Sequence, residues 1–180
     1  MANADNPRGL TPYMSGSNAG TPRIREYYAS VTTAIFKGDV VVGKSTGRIH
    51  SLRTASGAIL TRGVAAQYHA AGTTPVERIA VYDDPKTLFL VNSDGTTDPT
   101  KATAIDHIGG TADLVVSTGS TGSGQSAFEL DYSLIGTTTT DPVYIVDISK
   151  QAGNDPALMH GDYVVKLTRH VESAQALTAI

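Results

Sequence analysis

The amino-acid sequence predicts a mainly β protein: a single β-barrel or β-sandwich domain with an extended N-terminal arm and one short helix. Short apolar stretches recur between clusters of turn residues, which is the pattern of strands joined by tight connections. Glycine accounts for 18 of the 180 residues, and an interior glycine destabilises a helix or strand by roughly 0.5–1 kcal/mol relative to alanine. Strands do not alternate with long helices, so a wound parallel sheet is disfavoured.

Charge and composition argue against several classes of protein. The net charge is −3 and the basic residues are scattered, so the electrostatic surface that nucleic acid requires is missing. No cysteine is present, which excludes disulfides and thiolate metal sites. No apolar stretch approaches the roughly 18–20 residues of a membrane span, and the first ten residues contain no apolar signal segment. We therefore expect neither a nucleic-acid nor a membrane partner, and no export after synthesis.

Residues 1–30 have the composition of an arm rather than of a core segment. Glycine and proline interrupt every helix or strand period at Pro7, Gly9, Pro12, Gly16, Gly20 and Pro22. The apolar side chains between them are isolated, and a segment of this kind is not expected to bury itself. Two outcomes remain open: a disordered tail, or an extended chain laid against a partner. The candidate partner-binding residues in the second case are Pro7, Leu10, Pro12, Tyr13 and Met14.

The β-domain is expected to occupy residues 31–173, and its first half contains five candidate strands. Their expected bounds are 34–42, 48–52, 58–68, 76–81 and 87–91. The first of them is expected to be broken or bulged at Gly38-Asp39. Asp83-Asp84-Pro85 ends the fourth, because proline supplies no hydrogen-bond donor to a sheet ladder. Residues 92–95 form a turn after the fifth.

One helix is expected at residues 99–108. Asp98 is a suitable N-cap, Pro99 occupies the first helical position, and Gly109-Gly110 ends the segment. Further short strands follow, separated by turns. Their expected bounds are 114–116, 128–134, 143–148 and 163–171, with a Gly/Ser/Thr loop at 117–126 and a mostly apolar tail at 174–180.

Residues 38–45 match the P-loop expression G-x-x-x-x-G-K-[ST] at every position. In a nucleotide-binding protein, Lys44 would contact the β- and γ-phosphates, Ser45 would ligate Mg²⁺, and Asp147 at the end of another apolar strand would lie near that metal. A P-loop, however, is a loop that opens a helix. Here consecutive valines favour extended backbone, and residues 46–52 have the pattern of a turn and a second strand. We predict a hairpin and keep nucleotide binding as a remote alternative.

The remaining nucleophile and carboxylate candidates have simpler structural interpretations. Residues 43–47 contain G-x-S-x-G with Ser45 in the nucleophile position, but the strand-to-helix elbow that this motif needs is not predicted. Ser123 and Ser126 are interpreted as loop residues, and Asp83-Asp84 as a turn stabilised by carboxylate hydrogen bonds. We therefore predict no catalytic residue and no enzymatic activity.

Metal and cofactor sites are not predicted either. The five histidines include no pair at the i, i+4 spacing of a helical metal site. Asn92, Asp94 and Asp98 depart from the EF-hand spacing at several positions. A histidine site assembled across an oligomer axis remains open, because one chain does not reveal it.

Several stretches resemble a family of tailed-phage head decoration proteins. Residues 1–12 are similar to the opening of that family, an Ala/Asn lead followed by Arg-Gly-Leu and a proline-containing stretch. Tyr27-Tyr28 ahead of Gly38-Asp39-Val40 is similar to its aromatic pair and the glycine–aspartate step after it, although the family often has proline where Val40 stands. Further similar stretches are Gly63-Val64, Val81-Tyr-Asp-Asp-Pro-Lys-Thr-Leu-Phe-Leu-Val91 and Tyr163-Val-Val-Lys-Leu-Thr-Arg-His170.

The resemblance implies a structural virion protein that binds the outer surface of the phage capsid and stabilises contacts between major capsid protein subunits. It also implies self-association as a dimer or trimer, and synthesis in the cytoplasm of the host bacterium. The arm would contact the capsid, so deletion of residues 2–22 is expected to weaken binding and leave the domain folded. The alternative is a phage receptor-binding or adhesin module, with residues 117–126 as recognition surface.

Overall fold

Short strands make up most of the regular structure. The computed structural model describes residues 3–15, 20–54, 60–72, 77–95, 101–136, 140–155 and 157–175. The strands within these ranges are β1 (Thr11–Met14), β2 (Ile24–Tyr28), β3 (Val40–Gly43), β4 (Ile49–Ser51), β5 (Thr61–Ala65), β6 (Arg78–Tyr82), β7 (Leu88–Asn92), β8 (Thr111–Ala112), β9 (Leu114–Ser120), β10 (Gln125–Leu130), β11 (Val143–Ile148) and β12 (Asp162–Leu167). The helical elements are 3-10 turns at Leu52–Thr54 and Tyr132–Leu134 and the short helices α1 (Lys101–Asp106) and α2 (Val171–Gln175).

These strands form two antiparallel sheets and a hairpin. Sheet I has the strand order β1-β7-β12-β11-β8, and sheet II has the order β2-β6-β5-β3-β4. β9 and β10 pair with each other as a separate hairpin. The prediction of a mainly β fold is confirmed. Of the two expected architectures the arrangement is consistent with the sandwich, because the described strands form no closed barrel.

The main core collects side chains from both sheets and from the hairpin. Strand side chains alternate between two faces, and in β3 this places Val40 in the main core while its neighbour Val41 joins a second cluster with Val81. Sheet II therefore contributes buried side chains on both of its faces. This explains why β3 is apolar at consecutive positions, since a strand covered on both sides does not need to alternate.

The N-terminal segment differs from the arm expected from its composition. Leu10 is 1% exposed and belongs to the main core. β1 pairs with β7 at the edge of sheet I, and β2 pairs with β6 at the edge of sheet II. Gly9 permits the close approach that seats Leu10, because a β-carbon at Gly9 would lie 2.6 Å from the carbonyl oxygen of Gly38. Segments far away in the sequence supply hydrogen-bond partners for the backbone of this N-terminal segment. The composition of the segment does not reveal these partners.

Residues 117–126, which were expected to form a loop, lie largely within the β9–β10 hairpin. β9 extends to Ser120 and β10 begins at Gln125, which leaves a short turn between them. Most residues of β9 after its first are exposed or half-buried. The strand can therefore contain Ser, Thr and Gly, a composition that resembles that of a loop. The hairpin turn packs against residue Lys37, whose backbone N–H donates to the carbonyl oxygen of Gly124 at 2.9 Å.

The helical content is larger than the single helix expected. α1 falls within the predicted span 99–108, whose capping residues Asp98 and Pro99 lie outside the described residues. α2 begins at Val171, the residue at which the last strand was expected to end. Most of the predicted tail, 174–180, lies outside the described residues. None of the described helices is long and apolar enough to cross a membrane.

Candidate interaction surface

The five residues predicted to bind a partner do not share one surface. Leu10 is buried in the main core, so in this fold it is not accessible to a partner. Pro12, Tyr13 and Met14 lie on β1, where Tyr13 is 42% and Met14 is 54% exposed. Pro7 is exposed in the segment before them. We refer to Pro12, Tyr13 and Met14 as the β1 edge.

β1 is one of the two edge strands of sheet I as described, and among the described strands it pairs with β7 alone. The pairing has a register irregularity between Pro12 and Met14. Proline is tolerated on an edge strand because its missing N–H interrupts no ladder. The outer side of such a strand presents backbone groups that pair readily with another strand.

Polar contacts hold the residues before β1 against the chain that precedes β12. Arg8 Nη2 lies 2.9 Å from Asp162 Oδ2 in an ion pair that is only partly exposed. The Asn3 side chain donates to the carbonyl oxygen of Asp155 and accepts from the Asp155 N–H, both at 2.8 Å. The β1 edge is therefore positioned by contacts between opposite ends of the sequence.

A cavity of about 180 Å³ adjoins this segment, and five of its lining residues have amide side chains. Asn92 donates from Nδ2 to the carbonyl oxygen of His160 and to Asp162 Oδ1, and its own Oδ1 accepts from the Asn6 N–H. Asn154 donates to and accepts from the backbone of Asp162. The side chains of Asn92 and Asn154 are therefore bonded within the chain, and they stabilise the junction between its two ends.

Asp83, predicted only as a turn residue, is the centre of a buried ionic network. Its side chain is fully buried. Arg23 Nε lies 2.7 Å from Oδ1, Arg25 Nε lies 3.3 Å from Oδ2, and the Tyr27 hydroxyl donates to Oδ2 at 2.9 Å. Glu172 of α2 contacts both arginines, at 2.7 and 3.0 Å. The network therefore joins β2, the end of β6 and α2.

These contacts have clear electrostatic consequences. Hydrogen bonds to Glu172 and Asp83 hold the pKa of Arg23 above its ordinary value, and Arg23 in turn lowers the pKa of Glu172. The sequence does contain a signal for the network, because residues 23, 25 and 27 alternate and so face one side of a strand. Asp84 behaves as predicted for a turn, since its Oδ1 accepts from the Lys86 N–H at 2.9 Å.

Asp5, Glu129 and His160 form a second cluster that the sequence spacing did not indicate. The potential ligand atoms of the three side chains all lie within 4.8 Å of one another. Burial raises the pKa of Glu129, and the neighbouring carboxylates of Asp5 and Asp94 add to the effect. The three residues come from distant parts of the chain, so only the tertiary structure brings them together.

The P-loop and hydrolase-elbow motifs adopt the hairpin that was predicted. β3 pairs antiparallel with β4, and the Lys44 N–H donates to the carbonyl oxygen of Arg48 at 2.9 Å across the turn. A strand therefore follows Ser45 where either motif needs a helix. Asp147, the suggested partner of the P-loop, forms an ion pair with Lys150 at 3.0 Å, and this contact lowers the pKa of Asp147.

Ser126 differs from its interpretation as a loop residue, because it is 2% exposed. Its hydroxyl donates to Asp39 Oδ1 at 2.7 Å, and the other carboxylate oxygen of Asp39 accepts from the Phe36 N–H at 3.1 Å. Burial raises the pKa of Asp39. The pair joins β10 to the chain just before β3, so its visible role is structural.

Compared with protein-family models, curated proteins and solved structures, the chain matches none.

Proposed function

We propose that the protein is a structural component of a tailed-phage virion, which binds the outer surface of the capsid and stabilises contacts between major capsid protein subunits. It acts without catalysis and associates with copies of itself as a dimer or trimer. It reaches the virion from the cytoplasm of the host bacterium. Two lines of support are the resemblance of several stretches to phage decoration proteins and the β1 edge, which is the observation that carries the proposal.

The β1 edge suits a partner that presents extended backbone. An edge strand gives affinity through main-chain hydrogen bonds, while its exposed side chains give specificity. Tyr13 and Met14 provide both kinds of apolar contact that interfaces favour, a rigid ring with a polar tip and an adaptable thioether. Because Arg8 and Asp162 already fix the segment before the strand, little conformational entropy is lost on binding.

The mechanism is that of a clamp across the seams of a shell. A protein that contacts two neighbouring subunits raises the free energy required to separate them. Each copy needs to contribute only a small part of this free energy, because many copies bound to one lattice act together. The net charge of −3 agrees with a location outside the shell rather than against packaged DNA.

Rebinding of the purified protein to phage heads tests the proposal. Heads of the phage that encodes this chain, prepared without the protein, should bind the full chain at a constant number of copies per head and become more resistant to heat. The double variant Tyr13→Ala/Met14→Ala should bind at least ~10-fold more weakly, because the exposed anchors of the interface are lost. Leu134→Ala is the matched control, since Leu134 is 58% exposed and lies outside the β1 edge.

Absence of saturable binding to the heads would contradict the proposed function itself. Binding that is equally strong for the wild type and the double variant would contradict the role of the β1 edge alone. Circular dichroism and thermal melting of each variant show whether a weaker affinity comes from the altered surface or from loss of the fold.

A receptor-binding or adhesin module is the second candidate, and the β9–β10 hairpin is the observation that favours it. Residues 115–123 are mostly exposed, including Val116 at 37%, which gives a mixed polar and apolar surface. Saturable binding of the isolated protein to host cells or to glycans, lost on substitution of Val116 and Thr118 by alanine, would favour this candidate. Regular occupancy of the capsid with no cell binding would exclude it.

A further inference from the structure

We propose that Asp5, Glu129 and His160 form a binding site for a divalent transition-metal ion, zinc above all, which fastens the N-terminal segment to the hairpin and to the chain before β12. The site goes beyond the proposed function and does not depend on it. Two carboxylates and one imidazole are ligands that zinc accepts, and a water molecule would complete a tetrahedral set.

The three side chains already lie near one another. Their potential ligand atoms are within 4.8 Å of one another. Zinc lies about 2.0–2.2 Å from nitrogen and oxygen ligands, so two ligands of a tetrahedral ion are about 3.3–3.6 Å apart. The ligand atoms must therefore move together by up to roughly 1.5 Å when the ion binds. The Asp5 side chain is 64% exposed, so its rotation can supply part of this movement.

The imidazole of His160 is already oriented by its surroundings. Its Nδ1 lies 3.3 Å from the carbonyl oxygen of Ser93 and 3.8 Å from Asp5 Oδ1. An ion bound through Nδ1 would therefore replace the contact of this nitrogen with Ser93. Gly95 admits the ring, because a β-carbon at that position would lie 2.3–2.7 Å from three of the ring atoms. The ring is therefore held by backbone on two sides before any ion arrives.

Within the described residues, the basic side chain that contacts a carboxylate of the cluster is His160 itself, whose Nδ1 lies 3.8 Å from Asp5 Oδ1. Among the described residues, no lysine or arginine forms an ion pair with Asp5 or Glu129. Glu129 is only partly exposed on β10, where an uncompensated carboxylate is unfavourable. A divalent cation would neutralise both carboxylates at once. This electrostatic need supports a metal rather than a neutral ligand.

The donor set also distinguishes among metals. Calcium prefers six to eight oxygen ligands, whereas this cluster provides three residues, one of them through nitrogen. Soft ions favour thiolates, and the chain contains no cysteine. Imidazole and carboxylate together suit zinc best, with manganese as a weaker competitor.

Calorimetric titration of the untagged full chain with zinc chloride tests the site, with manganese chloride and calcium chloride titrated in parallel. We expect one zinc ion per chain, weaker manganese binding and no comparable calcium binding. Asp5→Asn and Glu129→Gln should each raise the apparent dissociation constant at least ~10-fold, because each removes a direct ligand. His160→Asn is a third variant, chosen because His160 has a φ of 57° and asparagine tolerates that conformation.

Glu26→Gln is the matched control, since Glu26 is an exposed carboxylate on β2 outside the cluster. Hydrogen exchange supplies a second measurement: zinc should slow exchange of the amides in residues 3–8 of the wild type and of Glu26→Gln, but not of the three variants at the proposed ligands. The proposal is overturned if zinc binds without saturation, if Asp5→Asn binds as tightly as the wild type, or if Glu26→Gln weakens binding to the same extent. Heads that bind the protein equally with and without zinc leave the proposed function intact.

Discussion

The buried carboxylate of Asp83 is compensated almost entirely from one strand. Arg23, just before β2, and Arg25 and Tyr27 on that strand alternate along the chain and contact its two oxygens. A buried charge is strongly unfavourable unless it is paired and hydrogen-bonded, so these side chains stabilise the fold by holding the same anion. Because the arginines are themselves 39% and 53% exposed, they keep part of their hydration while they do so.

Replacement of Asp83 by asparagine should destabilise the protein by about 3 kcal/mol. The variant keeps the shape of the side chain but removes the charge that the hydrogen bonds of two arginines require. Glu172→Gln, in which the residue is 33% exposed and contacts the same arginines, should cost at most ~1 kcal/mol. Urea unfolding followed by circular dichroism measures both values. Equal losses for the two variants would contradict the central role of Asp83.

β1 and the residues before it act as one element that is anchored at both ends. Arg8 pairs with Asp162 at the start of β12, and Leu10 belongs to the main core cluster, which also contains Phe89 and Phe128. β1 then adds a strand to β7. Removal of this element would expose the core and the edge of β7. Deletion of residues 2–22 is thus expected to destabilise the whole domain, contrary to the expectation from composition.

Leu10→Ala should lower the free energy of unfolding by about 2–5 kcal/mol, because a fully buried leucine loses its packing and leaves a cavity. Met14→Ala on the same element should change it by no more than ~0.5 kcal/mol, because Met14 is exposed. Chemical denaturation of the two variants beside the wild type measures the difference. A folded and equally stable Leu10→Ala variant would restore the interpretation of this segment as an independent arm.

Histidines make the stability of the whole molecule dependent on pH. Burial lowers the pKa of His50, His107 and His170 from the ordinary value of 6.5. For His170 the tautomer follows from its contacts, since Nε2 lies 3.0 Å from the carbonyl oxygen of Arg62 and Nδ1 accepts from the Glu172 N–H at 3.2 Å. Protonation of Nδ1 would remove the second of these hydrogen bonds.

Stability should therefore fall as the pH is lowered through 6.5, the ordinary histidine pKa. Below that value the unfolded chain binds protons that the folded protein excludes, so the free energy of unfolding increases with pH in this window and levels off above it. Urea unfolding at a series of pH values gives the slope. His170→Gln should have a shallower slope than the wild type between about pH 5.5 and 7, because one of the contributing groups is removed. An unchanged slope would contradict the assignment to His170.

The parts of the molecule that were predictable are those with a local cause. The mainly β class, the strands near residues 87–91 and 143–148, and the hairpin after β3 follow from side-chain period and turn chemistry in a few adjacent residues. The interruption at Gly38-Asp39 belongs to the same group, although before it the expected strand 34–42 is present only as isolated bridges at Ile35 and Lys37, and the regular strand begins at Val40. Each of these features needs information from only a short window of the chain.

The remaining features depend on segments that are far apart in the sequence. Leu10 is buried because segments far away in the sequence supply hydrogen bonds to its backbone and cover its side chain. Residues 117–120 form a strand because they pair with β10 across the hairpin, and such pairing overrides local propensity. Asp5, Glu129 and His160 likewise meet only when the chain before β1, the hairpin and the chain before β12 pack together. A period or a motif describes neighbours along the chain, whereas burial and charge compensation are decided by neighbours in space.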